Sequence, residues 1–155
     1  MTERYRKGVG IFLINKNNEI WVGKRLDFKN KYWQMPQGGI DKLESPEVAM
    51  RRELMEETGL SDNYKVICRT KKWLEYRLPE NQIHKVWNGK YVGQKQLWFA
   101  CRFLGNDNDI NLNKFEKPEF CEWRWIKPSD CLKHVVPFKK EMYNNIFQEF
   151  SGLLN

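Results

Sequence analysis

Residues 38–60, Gly38-Gly39-Ile40-Asp41-Lys42-Leu43-Glu44-Ser45-Pro46-Glu47-Val48-Ala49-Met50-Arg51-Arg52-Glu53-Leu54-Met55-Glu56-Glu57-Thr58-Gly59-Leu60, decide how the rest of this 155-residue chain is read. The stretch is punctuated as a helix at both ends. Ser45 is a hydroxyl N-cap, Pro46 has its φ pre-set for the first helical position, and Gly59 supplies the left-handed residue that closes a C-terminus. Within that helix, Glu53, Glu56 and Glu57 fall on one narrow arc, with Ala49 on the same arc one turn earlier. Met50 and Leu54 line one flank of the arc, Val48 and Met55 the other. The pattern predicts a helix gripped on both sides, its carboxylate ridge facing a cleft.

Such a ridge is costly. Like charges three and four residues apart repel by a few tenths of a kcal/mol each when exposed, and by more when crowded into a cleft. They also sit towards the helix C-terminus, where the macrodipole disfavours anions. Arg52 can pair with Glu56 across one turn, but it cannot neutralise three carboxylates. Divalent cations can. Hard oxygen donors without a nearby His or Cys point to Mg²⁺, with Mn²⁺ as a substitute, rather than to zinc. Taken alone, the same spacing also describes a solvated acidic helix face.

The rest of the composition sets the context. The chain carries 27 Lys and Arg against 20 Asp and Glu, a formal net charge of +7. That balance suits a phosphate-bearing partner, nucleotide or RNA, or equally a surface on which Lys is simply favoured. At 41% hydrophobic, residues 1–155 are expected to form a single domain with a sizeable core. There is no run of 18 apolar residues to span a membrane. Met1 to Gly8 lacks the apolar core of a secretory signal. Cys68, Cys101, Cys121 and Cys131 are far apart and form no CxxC pair, so free thiols and a cytoplasmic location are expected. His84 and His134 are too few for a histidine-rich metal site.

Along the chain, "GVGIFLINKNNEIWVGKR" reads as two strands joined by a tight turn at Asn17-Asn18. "KYWQMPQGGID" reads as a strand end running into a loop at Gly38-Gly39. "YKVICRTKKWLEYRL" and "QKQLWFACRFL" read as long strands, with "CEWRWI" as a shorter one. Between the two long strands, "PENQIHKVWNGKYVG" is a loop of functional length. "PSDCLKHV" is a short helix. Phe138, Met142, Ile146 and Phe150 recur at four-residue spacing, as in an amphipathic helix docked on the body. The fold class expected is α+β, a mixed sheet between helical layers.

The frame around the carboxylates is Gly38, five residues, Glu44, seven residues, then Arg52-Glu53-Leu54-x-Glu56-Glu57-x-Gly59-Leu60. This resembles the complete signature of the Nudix hydrolases, a match expected by chance on the order of once in 10⁷ chains. The resemblance implies the Nudix fold, an α/β/α sandwich, with residues 38–60 as the Nudix box. It implies metal held by Glu53, Glu56 and Glu57, with the Gly38 backbone close by. Glu44 fixes Arg52, Arg52 orients the catalytic carboxylates, and Gly59 closes the helix. Beyond the box, "YRKGVGI", "WQMPQGGI", "KKWLEYRLP", "GQKQLWF", "KPEFCEWRW" and "VVPFKKEMY" are similar to the bacterial branch of RNA pyrophosphohydrolases and dinucleoside polyphosphate hydrolases. The loop "VWNGKYVGQKQ" is similar to alphaproteobacterial members. In that branch the position of Glu119 adds a fourth carboxylate. Leu43 departs from relatives, which commonly carry glycine there.

The resemblance therefore implies a Mg²⁺-dependent removal of pyrophosphate from the 5′ end of triphosphorylated RNA, a step in RNA decay. Hydrolysis of diadenosine tetra- or pentaphosphate is the close alternative, and a non-catalytic nucleotide- or RNA-binding module the distant one. The proton acceptor is left among Glu53, Glu57 and Glu119. Arg6 and Phe138 match positions that flank a nucleobase. Gly39, Arg25 and Lys95 are expected on the phosphates, and Tyr76 near the substrate. Lys24 and Trp33 are placed close to the cleft, and the other tryptophans are taken as structural.

Overall fold

A computed structural model describes residues 4–26, 32–115 and 118–154. Met1, Thr2 and Glu3 of the N-terminal stretch, Lys31 of "KYWQ" and Lys117 of "KPEF" lie outside the described residues. The sheet is built around β1 (Tyr5–Ile14). On one side, β1 runs parallel to β7 (Gly93–Phe103) along its whole length, from Tyr5 opposite Gly93 to Ile14 opposite Arg102. On the other side it pairs antiparallel with β4 (Gln37–Gly39) at Gly8 to Gly10, and with β2 (Ile20–Arg25) at Ile14. β2 in turn carries β3 (Trp33–Gln34) and β8 (Phe120–Ile126), both antiparallel. The far side of β7 carries β5 (Tyr64–Arg69) and then β6 (Leu74–Arg77).

Helices cover both faces of this mixed sheet, which is the sandwich the sequence pattern implies. α1 (Pro46–Thr58) packs Ala49, Met50 and Leu54 against Val9, Ile11 and Leu13 of β1 and Leu97, Phe99 and Cys101 of β7. On the opposite face, α3 (Pro128–His134) and α4 (Lys140–Glu149) cover Phe12, Ile14, Trp98 and Ala100. Side chains alternate across a strand, so both phases of β1 and β7 are buried. That is why their sequences are apolar almost without interruption.

Local chemistry explains most of the boundaries. Ser45 Oγ accepts from Val48 N–H at 3.2 Å, and Gly59, at φ 82°, donates its N–H to Met55 C=O at 2.8 Å. The β1–β2 turn places Asn18 at φ 59° and is closed by Asn18 N–H to Asn15 C=O at 3.0 Å. Met142, Ile146 and Phe150 are buried as their spacing predicts, and all four cysteines are unpaired. Among the described residues no helix is long and apolar enough to cross a membrane.

Four expectations are corrected. The long strand read from "YKVICRTKKWLEYRL" is two strands, β5 and β6. Thr70 breaks it by turning its N–H to Trp98 C=O at 2.8 Å and accepting Trp98 N–H on Oγ1 at 3.1 Å. Gly38 and Gly39 belong to β4 rather than to a loop. The segment after β6 contains a short helix, α2 (Glu80–Ile83), and a tight turn at Trp87–Gly89. Finally, α1 is not gripped on both sides. Val48 is 54% exposed, because only the Met50–Leu54 flank faces the sheet.

Candidate active site

β4 and α1 build the centre of the site together. Ile11 N–H donates to Pro36 C=O at 2.9 Å, and Met35 N–H donates to the buried Tyr143 hydroxyl at 2.9 Å. These two bonds hold the chain entering β4 over the middle of the sheet. From there Gln37 N–H reaches down to Glu57 Oε2 at 3.0 Å. Gly38 lies against Glu53, and a Cβ on Gly38 would collide with the Glu53 carboxylate. A Cβ on Gly39 would likewise meet the Arg6 guanidinium. The glycines are therefore required by close approach rather than by turn geometry.

Arg52 organises the outer half of the ridge. Its Nε donates to Glu44 Oε2 at 2.7 Å and its Nη2 to Glu44 Oε1 at 2.9 Å. Nη2 also donates to the Gly39 carbonyl at 2.9 Å, while Nη1 donates to Glu53 Oε1 at 2.9 Å and lies 3.3 Å from Glu56 Oε2. The Glu44 carboxyl is held down at about 2 by the Arg52 hydrogen bonds and by the Asp41 backbone N–H. Burial instead pushes Glu53 up to about 7, against the adjacent Arg52, with Glu56 and Glu119 adding to the rise.

Glu57 lies deepest, and Arg52 does not reach it. Burial drives its carboxyl well above the usual range, and the neighbouring Glu119 and Glu53 carboxylates push the same way. Oε2 is satisfied by Gln37, but Oε1 is buried with no hydrogen-bond donor among the described residues. Glu119, on the segment entering β8, is half exposed and 3.7 Å from Arg25 Nη1.

This donor set suits a hard divalent cation. It is all oxygen, anionic and partly buried, and it includes one carboxylate oxygen that no donor among the described residues satisfies. Among the described residues, no three His, Cys, Asp or Glu side chains are drawn together as a ready-made ligand set. Arg52 bonds one oxygen of Glu53 and so orients it, while the longer pairings of Glu56 with Arg52 and of Glu119 with Arg25 are the ones a bound cation would exchange.

A cleft of about 400 Å³ opens above the ridge. It brings together Arg6, Arg25, Gly38, Gly39, Glu53, Tyr76, Glu119 and Phe138. Glu57 is buried behind its wall, whereas Glu56, with its side chain 45% exposed, stands outside the lining. Tyr76 and Phe138 meet at 5.7 Å between ring centroids. Lys95 does not reach the cleft. On β7 it alternates with Gln94 and Gln96, which turn inwards, and it stands opposite Glu75 of β6. Lys24 and Trp33 are also absent from the lining, and Arg124 covers the Trp33 ring at 4.1 Å.

Several lining residues lay outside the sequence reading. Gln34, Gln37 and Gln94 present amides to the cleft. Behind them, Gln96 Nε2 donates to Gln37 Oε1 at 3.3 Å and its Oε1 accepts from Trp98 Nε1 at 2.9 Å. The available signal was a pair of glutamines alternating with Lys95 in an otherwise apolar strand. Lys139 is buried, 5.0 Å from the Tyr76 ring centroid and 3.5 Å from Gln34 Oε1. Trp87, read as structural, lines the cleft with the Arg6 guanidinium 5.4 Å from its ring centroid.

Comparison with known proteins identifies the family and the fold. The NUDIX domain family matches residues 4–146. The chain is 49% identical over 152 residues to an RNA pyrophosphohydrolase of Wolbachia pipientis subsp. Culex pipiens, covering 98% of this chain and 93% of the relative. It is 47% identical over 150 residues to the protein of the same name from Rickettsia conorii, covering 97% and 92%. Among solved structures, the MutT protein from Methanosarcina mazei Go1 superposes with a TM-score of 0.70 at 15% identity, covering 96% of this chain and 97% of that one. A C. elegans Ap4A hydrolase in a binary complex gives 0.68 at 19% identity, covering 95% and 98%. At such identities the structural matches speak to the fold alone.

Proposed function

The chain belongs to the NUDIX family, and on that premise we propose that it is a divalent-metal-dependent pyrophosphohydrolase acting on the 5′ end of triphosphorylated RNA. The observation that carries the substrate is the near-full-length identity to RNA pyrophosphohydrolases. The basic balance of the chain, +7 overall, supports a polyanionic substrate. Residues 1–155 are read as one catalytic domain, supported by one continuous sheet covered on both faces, and its four free cysteines suit work in the reducing cytoplasm.

In this reading Glu53, Glu56, Glu57 and Glu119, with the Gly38 backbone, hold Mg²⁺, for which Mn²⁺ can substitute. The cation supplies charge neutralisation on the phosphates and acidifies a bound water. The chain's own residues do the rest. Glu44 fixes Arg52, and Arg52 fixes Glu53 and the Gly39 carbonyl, so the carboxylates are aimed before substrate arrives. Arg25, beside Glu119 at the cleft, takes phosphate oxygens, and Gly39 lets the strand come close to them. Tyr76, Phe138 and Arg6 bracket a nucleobase. Water attacks phosphorus and its proton passes to a carboxylate of the set Glu53, Glu57 and Glu119. The bridging P–O bond breaks, pyrophosphate leaves, and the RNA keeps a 5′-monophosphate.

Hydrolysis of dinucleoside polyphosphates is the second reading. One observation favours it: besides the Tyr76–Phe138 ring pair, the cleft carries a further aromatic ring, Trp87, which gives it surfaces for two bases. A non-catalytic binding module is disfavoured, since every glutamate of the box is present. The deciding experiment offers 5′-triphosphorylated RNA and diadenosine tetraphosphate at matched concentration with Mg²⁺, beside Glu57→Gln. A kcat/KM at least about tenfold higher on RNA supports the first reading. An equal margin for the dinucleotide replaces it with the second.

A further inference from the structure

Gln96 of β7 is completely buried, yet each of its side-chain polar groups has a partner. Its Oε1 accepts from the Trp98 indole N–H at 2.9 Å. Its Nε2 carries two hydrogens and meets two acceptors, Gln37 Oε1 at 3.3 Å and Gln94 Oε1. A core tolerates a buried amide on these terms. The order of the bonds is not free. An indole N–H can only donate, so the Gln96 oxygen has to face Trp98 and its NH₂ has to face Gln37 and Gln94. Those two answer with their oxygens, which turns both of their own NH₂ groups away from Gln96. Reversing any one amide would set donor against donor in a buried site.

The indole that starts the chain is fixed in place. It is completely buried, its ring stands where a Cβ on Gly10 would be, and Tyr143 meets it edge-on at 5.8 Å. At the other end, Gln37 and Gln94 both line the cleft. Burial pushes the Tyr76 phenol up to about 12, and a hydrogen bond from the Gln37 amide works against that rise. A third lining amide is set in the same sense by another side chain that can only donate. Lys139 Nζ lies 3.5 Å from Gln34 Oε1, and the buried Gln34 Nε2 has no partner among the described residues. The amide oxygens of the cleft floor are thus occupied from behind and its N–H groups are left over. Such a floor fits a ligand edge made only of acceptors. Ionised phosphate is one; a base edge or a sugar hydroxyl carries donors as well.

We propose that Trp98, acting through Gln96, is a positioning residue: it fixes the sense of the Gln37 and Gln94 amides, so that the cleft floor selects the polyphosphate arm of the substrate by donating alone. The inference rests on the pyrophosphohydrolase reading of the cleft and deepens it. Trp98 and Gln96 are absent from the cleft lining and act only through the amides in front of them.

The test compares wild type with Gln96→Met, Trp98→Phe and the double variant, none of which adds a charge. Gln96→Met fills similar space and frees both amides to turn; Trp98→Phe keeps a ring and drops the N–H. Binding in Mg²⁺ is read by fluorescence anisotropy of one 3′-labelled RNA with two 5′ ends. One is a hydroxyl, the other a triphosphate whose α,β bridge is methylene and resists hydrolysis. Gln96→Met is expected to weaken the triphosphate end about tenfold, roughly one hydrogen bond to a charged group, and the hydroxyl end less than about twofold. Trp98→Phe should shift the same ratio in the same direction by about threefold. The double variant should match Gln96→Met, because both changes act through one chain of bonds. On hydrolysable triphosphorylated RNA the loss should fall on KM, with kcat within about threefold. Equal weakening of both ends, an unchanged ratio, or losses that multiply in the double variant overturn the proposal. If Gln96→Met fails to fold by circular dichroism, the ratio in Trp98→Phe decides. Wild type that prefers the triphosphate end in a Gln96-dependent way but does not hydrolyse triphosphorylated RNA removes the functional reading and leaves the positioning role standing.

Discussion

Arg52 and Glu44 are joined by two parallel hydrogen bonds, at 2.7 and 2.9 Å, and the same guanidinium reaches Glu53 at 2.9 Å. A planar five-donor fork can make all these contacts at once; an ammonium cannot. Arg52→Lys is therefore expected to lower kcat about 10–100-fold, the usual size of an effect transmitted through a ligand's supporting shell. KM should move less. Steady-state kinetics on triphosphorylated RNA check this, and a KM effect larger than the kcat effect would contradict it.

Glu57 shows the opposite balance of fit and function. Its buried Oε1 has no donor among the described residues, and its carboxyl is pushed upwards by burial and by the Glu119 and Glu53 charges. A neutral amide keeps the bond from Gln37 N–H and removes the repulsion. Glu57→Gln should raise the Tm of the metal-free protein by about 2–4 °C, as for roughly 1 kcal/mol in a chain of this size. It should also cost about 10²–10⁴-fold in kcat. Thermal scans in EDTA and an activity assay read the two effects separately, and a lower Tm would refute the first.

The pH dependence of the metal-free protein has two windows of opposite sign. Glu44, folded at about 2 against an ordinary 4.5, contributes stability that is present above pH 4.5 and lost as pH falls towards 2. Glu53, folded at about 7, and Glu57, also raised, make the native state bind more protons than the unfolded chain. Their contribution is full below pH 4.5 and lost as pH rises through 7. The metal-free Tm should therefore decline between about pH 5 and 8, and saturating Mg²⁺ should flatten that decline. A Tm in EDTA that climbs across this range would rule the account out.

Leu43 sits at φ 75° and is 99% exposed, in the turn closed by Glu44 N–H to Asp41 C=O at 3.0 Å. The loop keeps the left-handed residue that a glycine would supply, and leucine bears the clash. Leu43→Gly relieves about 1–2 kcal/mol of it. The added freedom of the unfolded chain takes back about 0.4–1 kcal/mol. The net gain is expected to raise Tm by about 1–4 °C with kcat/KM unchanged, as a thermal melt and one assay can establish.

The helix and its carboxylates were legible because their signals are local. Ser45, Pro46 and Gly59 act within one turn of themselves, and the Glu44–Arg52 bridge spans two turns of the same segment. Lys95 and Val48 were misread because each depends on a distant partner. A strand's inward phase is set by what it pairs with, and Lys95 is turned away by the register of β7 on β1. Val48 fails because nothing in the local pattern says how wide a helix face its neighbours cover. Thr70 ends β5 by bonding Trp98, 28 residues away, which periodicity does not carry. Trp87 escaped notice because a three-residue left-handed turn with one glycine has no compositional mark.

The parallel pairing of residues 5–14 with 93–102 also sets a clock for the ribosome. At about 5–20 residues per second, the apolar strand Gly8 to Ile14 leaves the tunnel on the order of 5–20 s before its partner exists. Over that interval it offers both faces and one whole edge to any other nascent chain. Pairings this distant in sequence also close slowly once both strands are available. Synthesis rate and chaperone supply therefore bear on how much of this protein reaches its native state, alongside the stability of the finished sheet.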